Sequence, residues 1–294
     1  MKKWIKKMII IGLGFWGGIG LFISHVLTKR KFYDGIEDER HIQPIPPDFH
    51  KIFLRSDEKI CAVWLPREGS KKVVIIIHGL RSHKLDEKIK LPQVIIFLHS
   101  LGFSVLSIDL RAHGESSGNR VYGGFKEKND VLVAVEFVVS KIKNPQIILW
   151  GFSMGGAASL LAYKETPYKN FIVALILDST YTNLERVLSL YTKENLNLIL
   201  KIFKPIYEIY TRLHGFKIVK LTKVIKEVDC PVLILHGRFD TLTPIDEAEE
   251  LYRNCKKGKG KIVVFNTGHL PLKSVSFEEY MEQVVEFLRT IKII

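Results

Sequence analysis

The sequence predicts an α/β fold in which a mostly parallel central sheet is covered by helices on both faces. Three observations carry that expectation. Short, fully apolar runs alternate with longer helical stretches from residue 51 onward. One of those runs leads directly into Gly151-Phe152-Ser153-Met154-Gly155, a strand-to-helix turn with small residues where the backbone must bend sharply. The chain has 294 residues, 47 % hydrophobic and 26 % charged, which suits one large core and excludes a disordered polymer.

Taken in order, residues 8–27 hold no charge, and at about 1.5 Å rise per residue they reach roughly 30 Å as a helix. Lys2, Lys3, Lys6 and Lys7 precede this stretch, while Lys29, Arg30 and Lys31 follow it. No small-x-small cleavage site ends it, so residues 1–31 read as an uncleaved transmembrane signal anchor in the cell membrane. Four bases before the helix against three after it predict a cytoplasmic N-terminus with the remaining domain outside. Residues 32–50 are polar, contain Pro44, Pro46 and Pro47, and read as a linker.

The domain proper is expected over 51–294. It begins with a hairpin over 51–67, whose arms flank Ser56-Asp57-Glu58. Strands follow at 73–77, 103–110, 146–150, 171–177, 231–235 and 261–265, apolar on both faces as parallel strands require. Helices are expected at 87–101, 130–142, 155–163, 245–255 and 277–291. The segment 181–229 is too long for a strand-to-helix connection and reads as an inserted helical cap. Its residues Leu184, Leu188, Leu190, Leu198 and Leu200 serve chiefly as cap core and are available to line an apolar pocket.

Charge and cysteine content narrow the class. The formal net charge is +13, but residues 1–31 carry seven bases and no acid, leaving 37 bases against 31 acids for the rest. No basic stripe interleaved with aromatics remains, so nucleic acid is not expected as a partner. Cys61, Cys230 and Cys255 are too few and too scattered for a disulfide framework or a CxxC metal site.

The chemistry concentrates at strand ends. Ser153 sits at the tip of the turn after the run 146–150, where Gly151 and Gly155 avoid side-chain clashes and a helix N-terminus favours a developing anion. A serine hydroxyl needs a base to become a nucleophile. His269, in Asn266-Thr267-Gly268-His269, follows the last predicted strand and is the candidate. The acid should lie between them in the chain, just beyond a strand; Asp240, in Arg238-Phe239-Asp240-Thr241, fills that place, and Asp178 after the preceding strand is the alternative. The backbone N–H of Leu80, after the His78-Gly79 turn, and that of Met154 are candidate oxyanion donors. His78 and Gly79 read as shaping that turn. No further ligand cluster accompanies His78 and His83, so no metal is expected, nor any other cofactor.

These segments together resemble the α/β-hydrolase superfamily, in its monoacylglycerol-lipase, esterase and serine-aminopeptidase-like branch. The resemblance spans about residues 51–292. It rests on His78-Gly79, Asp109-Leu110-Arg111-Ala112-His113-Gly114, the Gly151–Gly155 turn, Asp240-x-x-x-Pro244 and Gly268-His269. It implies Ser153, Asp240 and His269 as a triad, Leu80 and Met154 as oxyanion donors, and Arg111 and His113 as scaffold. The anchor and linker are similar to those of membrane-attached bacterial members. The implied activity is hydrolysis of carboxylic esters (acylglycerol, lysophospholipid or small acyl esters) through an acyl-enzyme. A serine peptidase of the aminopeptidase-like type is the alternative, and a non-catalytic binding protein of the same fold a remoter one.

Overall fold

The structure, a computed structural model, describes residues 49–191 and 219–294. The expected anchor at 8–27, nearly all of the 32–50 linker and the middle of the cap lie outside the described residues. Among the described residues no helix is long and apolar enough to cross a membrane.

Among the described residues eight strands form one sheet: β1 (His50–Arg55), β2 (Lys59–Leu65), β3 (Lys72–Ile77), β4 (Ser104–Ile108), β5 (Gln146–Phe152), β6 (Ile172–Asp178), β7 (Val232–Gly237) and β8 (Gly260–Phe265). Their spatial order is β1-β2-β4-β3-β5-β6-β7-β8. The first two form the expected hairpin and lie antiparallel, β2 against β4, while β3 to β8 run parallel. Parallel strands need helical crossovers, and these cover both faces.

The period-two alternation of each strand sorts its side chains into two cores. Ile75 and Ile77 of β3, with Ile147 and Leu149 of β5, pack beneath α2 (Glu127–Lys141), α3 (Met154–Glu165), α5 (Leu221–Ile225) and α6 (Ile245–Asn254). Val74 and Ile76, with Ile148, Trp150 and Phe152, pack beneath α1 (Leu91–Ser100) and α7 (Phe277–Thr290). The short helix α4 (Leu184–Tyr191) opens the insertion between β6 and β7, and Leu184 packs half-buried against the first core.

Two helix starts differ from expectation by more than one residue. The stretch 87–101 divides into a 3₁₀ turn at Glu87–Ile89 and α1, because Lys90 adopts φ 51° and Pro92 takes an early helical position, where its missing N–H costs nothing. Helix α2 begins three residues earlier than its apolar pattern suggested. Its first turn carries Glu127, a charged side chain that is nonetheless fully buried and accepts a hydrogen bond from Tyr122 N (2.6 Å).

Ion pairs made by two buried cations brace the loops on the sheet's antiparallel side. Arg111 bridges Asp130 (Nη2–Oδ1 2.7 Å) and Asp57 (Nη2–Oδ1 2.6 Å), as a guanidinium fork can. Lys84, almost fully buried, donates to Asp109 (2.7 Å) and Glu115 (2.8 Å). Burial acts against the Lys84 charge, but the two carboxylates outweigh it and raise its pKa. Burial likewise acts against Glu115, yet hydrogen bonds from Lys51 and Lys84 hold it down at about 2.

Candidate active site

The parallel strands all end on one edge of the sheet, and the candidate residues gather there. Ser153 follows β5 directly and caps α3 with φ 51° and ψ −112°, a sparsely populated conformation costing on the order of 1–3 kcal/mol. Its backbone N–H donates to Asp178 O (2.7 Å), and its hydroxyl makes no capping bond to the helix, so that hydroxyl is not spent on structure. The turn is tight enough to need its glycines. A Cβ on Gly151 would lie 2.5 Å from Gly155 O, and one on Gly155 would collide with the carbonyl oxygens of Ile77 and His78.

The His78-Gly79 turn lies against this elbow, with the Cβ position of Gly79 only 3.3 Å from Ser153 Cβ. His78 is fully buried. Its Nε2 accepts from Leu110 N (2.9 Å), which leaves Nδ1–H to donate to Gly79 O (2.6 Å). Burial, with His113 beside it, pushes its pKa well below the usual value, so the ring is a neutral strut between two loops. The N–H groups of Leu80 and Met154 have no hydrogen-bond acceptor among the described residues.

Asp240 follows β7 and His269 follows β8. His269 Nδ1 lies 2.6 Å from Asp240 Oδ2. A carboxylate only accepts, so Nδ1 carries a proton, and in the neutral ring Nε2 holds the lone pair. The Asp240 carboxylate takes three further donors: Thr243 Oγ1 (2.6 Å) on Oδ2, and Leu242 N (2.9 Å) and Thr243 N (2.8 Å) on Oδ1. Burial raises the Asp240 pKa, but the His269 hydrogen bond and charge and the Thr243 bonds more than reverse it, and the net shift is downward. His236, at the end of β7, donates from Nε2 to Thr243 O (2.6 Å) and so fixes the loop that carries these donors.

Asp178 does not touch His269. It is fully buried at the end of β6 and bonds Tyr280 Oη (2.5 Å) and Ser179 Oγ (2.8 Å). Arg111 and His113 lie buried in the loop after β4, Arg111 in the ion pairs described above and His113 with Nδ1 2.9 Å from Arg111 O. Among the described residues one group converges at metal-ligand distances, Cys61, Asp109 and Glu115 within 4.8 Å. The Lys84 ammonium bonds both carboxylates there, and burial first among the causes pushes the Cys61 thiol up to about 12, so this donor set does not fit a cation.

Thr243, Ser179 and Tyr280 were not among the sequence candidates. Thr243 had a readable signal, since Asp-x-x-Thr is a pattern in which the aspartate accepts backbone N–H groups two and three residues on. Ser179 and Tyr280 had none, because their contacts join segments about a hundred residues apart.

Comparison with known proteins supports the same architecture. The chain aligns with the Bacillus subtilis protein YqkD at 28 % identity over 219 residues, covering 73 % of this chain and 70 % of that one. It aligns with the lysophosphatidylserine lipase ABHD12 of Danio rerio at 27 % identity over 206 residues, covering 65 % of this chain and 49 % of the relative; it thus spans about half the length of that vertebrate protein. The fold superposes on an esterase of Pyrococcus furiosus, Pf2001, with a TM-score of 0.70 and 25 % identity, covering 85 % of this chain and 95 % of that structure. Residues 68–217, just over half of the chain, match the family described as serine aminopeptidase, S33. Strand order, crossover pattern and family match agree: the chain belongs to the serine aminopeptidase S33 family and carries the α/β-hydrolase fold.

Proposed function

We propose that this protein is a serine hydrolase of carboxylic esters, with Ser153 as nucleophile, His269 as base and Asp240 as its orienting acid. The observation that carries the reading is the 2.6 Å contact between His269 Nδ1 and Asp240 Oδ2, which leaves Nε2 as a lone-pair base on the same sheet edge as the strained Ser153. Ser153 Oγ bonds to the acyl carbon as its proton passes to Nε2; the ester C–O bond then breaks and the leaving alcohol takes that proton. Water, deprotonated by the same nitrogen, attacks the acyl-enzyme and releases the carboxylic acid and free Ser153. The unsatisfied N–H groups of Leu80 and Met154 suit an oxyanion, each such donor lowering the barrier by roughly 3–4 kcal/mol. The esterase and lysophosphatidylserine lipase among the similar proteins favour an acyl ester, such as an acylglycerol, a lysophospholipid or a small ester.

The family's description as serine aminopeptidase supports a second reading, amide cleavage by the same triad. Nitrophenyl esters of increasing chain length beside aminoacyl-nitroanilides separate the two. Ester turnover with silent anilides is expected, and the reverse would transfer the assignment to the peptidase. Ser153→Ala is expected to abolish both fluorophosphonate labelling and ester turnover; full-stoichiometry labelling of that variant would refute Ser153 as nucleophile. Residues 8–27 belong to the same proposal as a bilayer anchor, supported by twenty uncharged residues between basic flanks, with 51–294 as the hydrolase domain outside and 181–229 as its cap. Alkaline-carbonate extraction of membranes tests it: the full chain should stay in the pellet.

A further inference from the structure

Asp178 and Ser179 occupy a place that the proposed chemistry leaves unused, yet they touch every loop that carries a member of the triad. Asp178 O accepts from Ser153 N (2.7 Å). Ser179 O lies 3.2 Å from Thr243 Oγ1 and shares with Asp240 Oδ2 the single proton of that hydroxyl. Ser179 Oγ accepts from the N–H of Leu270, the residue after His269, at 3.0 Å. Both residues of that last bond lie in the left-handed region, Ser179 at φ 49° and Leu270 at φ 60°, a conformation that costs a non-glycine residue on the order of 1–3 kcal/mol.

We propose that Tyr280, Asp178 and Ser179 form a buried relay that positions His269, so that turnover depends on a second carboxylate outside the triad. The inference rests on the triad assigned above and deepens it. The chemistry of each member fits its place. A carboxylate offers acceptors only, so Asp178 Oδ1 draws the Ser179 proton (2.8 Å) and leaves the serine lone pairs facing Leu270 N–H. The other carboxylate oxygen takes the Tyr280 hydroxyl (2.5 Å). That hydroxyl cannot wander, because the Tyr280 ring is fully buried and stacked between Trp150 (6.2 Å) and Phe265 (5.6 Å). Helix α7, the last element of the described fold, thus reaches the histidine loop through three side chains.

The relay should also respond to pH. Burial pushes the Asp178 carboxyl up to about 6 against the hydrogen bonds from Tyr280 and Ser179. The titratable groups facing it are Tyr280 from α7, Asp240 from the loop after β7 and His269 from the loop after β8. Burial foremost keeps the Tyr280 hydroxyl protonated far above neutrality, so it is always a donor. When Asp178 takes a proton it loses its charge and becomes a donor itself, so its hold on the Ser179 and Tyr280 hydroxyl protons weakens.

The test uses the full chain with a nitrophenyl ester, measuring kcat and KM from pH 4.5 to 9 together with fluorophosphonate stoichiometry and thermal unfolding. Tyr280→Phe removes one donor to the carboxylate, and its acid limb in kcat should move to higher pH by about half a unit or more with KM within about twofold. Ser179→Ala should lower kcat about tenfold at pH 8, again with little change in KM. Asp178→Asn should show an acid limb governed by one proton where the wild-type limb steepens toward two; if that variant fails to fold, Tyr280→Phe decides. Lowered melting temperatures with unshifted pH profiles and unchanged kcat would overturn the relay and leave these residues as packing. Failure of the wild type to take one fluorophosphonate per chain at Ser153 would instead overturn the triad reading on which the relay rests.

Discussion

Thr243 illustrates how much of a candidate triad is held by groups that take no part in proton transfer. Its hydroxyl and its backbone N–H both point at Asp240, and the hydroxyl also lies 3.2 Å from His269 Nδ1. The net downward shift of the Asp240 pKa depends on such donors, since burial by itself acts the other way. Thr243→Val keeps the shape and the backbone N–H but removes the hydroxyl. The Asp240 carboxylate then loses one of its two partners on Oδ2, becomes more basic, and orients the imidazole less firmly. We expect kcat to fall about tenfold, with a modest rise in the pH of the acid limb, because one hydrogen bond to a charged group is worth roughly 1.5–3 kcal/mol. Steady-state kinetics across pH check this. An unchanged kcat would show that the three remaining contacts suffice.

At the scale of elements, the elbow between β5 and α3 is the joint on which the site depends. Helix α3 packs so closely against the end of β3 that no side chain fits at Gly155, where a Cβ would collide with Ile77 O and His78 O. Gly155→Ala must therefore push the helix away from the His78-Gly79 turn, separating the two candidate oxyanion donors. We expect a stability loss on the order of 3 kcal/mol and at least a hundredfold loss in kcat, read by thermal unfolding and ester turnover. Gly69→Ala is the matched control: its Cβ would meet nothing within 4 Å, so only the left-handed backbone at φ 71° costs, about 1 kcal/mol. This joint was legible in the sequence because its requirements are local, an apolar run, a glycine on either side of a serine, and small residues after it. The parallel strands were legible for a similar reason, since burial on both faces leaves continuous apolar runs. What escaped was set at long range. Glu127 falls between the expected elements and is buried, and Lys90 reads as helical and is left-handed. Tyr280 looks like one more core aromatic, and only the fold brings its hydroxyl to Asp178.

Across the whole molecule, buried titratable groups pull stability in opposite directions as pH changes, and Glu127 is the one whose share can be isolated. Its carboxyl is fully buried among Tyr122, Tyr181, Asp130 and Arg111, and burial, the largest cause, pushes it up to about 7 from the usual 4.5. Between those values the folded chain holds a proton that the unfolded chain has released, so this group's contribution to stability is lost as pH rises through the window. His78 and His236 act oppositely. Burial depresses both below 6.5, so the unfolded chain binds protons that the folded one refuses, and their contribution is lost as pH falls. The two trends overlap between pH 4.5 and 6.5 and flatten the wild-type curve there. Glu127→Gln removes the first trend alone. The variant starts with a fixed penalty from placing an amide where Oε2 has no partner, but that penalty does not change with pH. Its melting temperature relative to wild type should therefore rise between pH 5 and pH 8, by roughly 5 °C for a domain of this size. Parallel melting curves for the two proteins across that range would mean that Glu127 titrates near its ordinary value and that the loop before α2 opens to water.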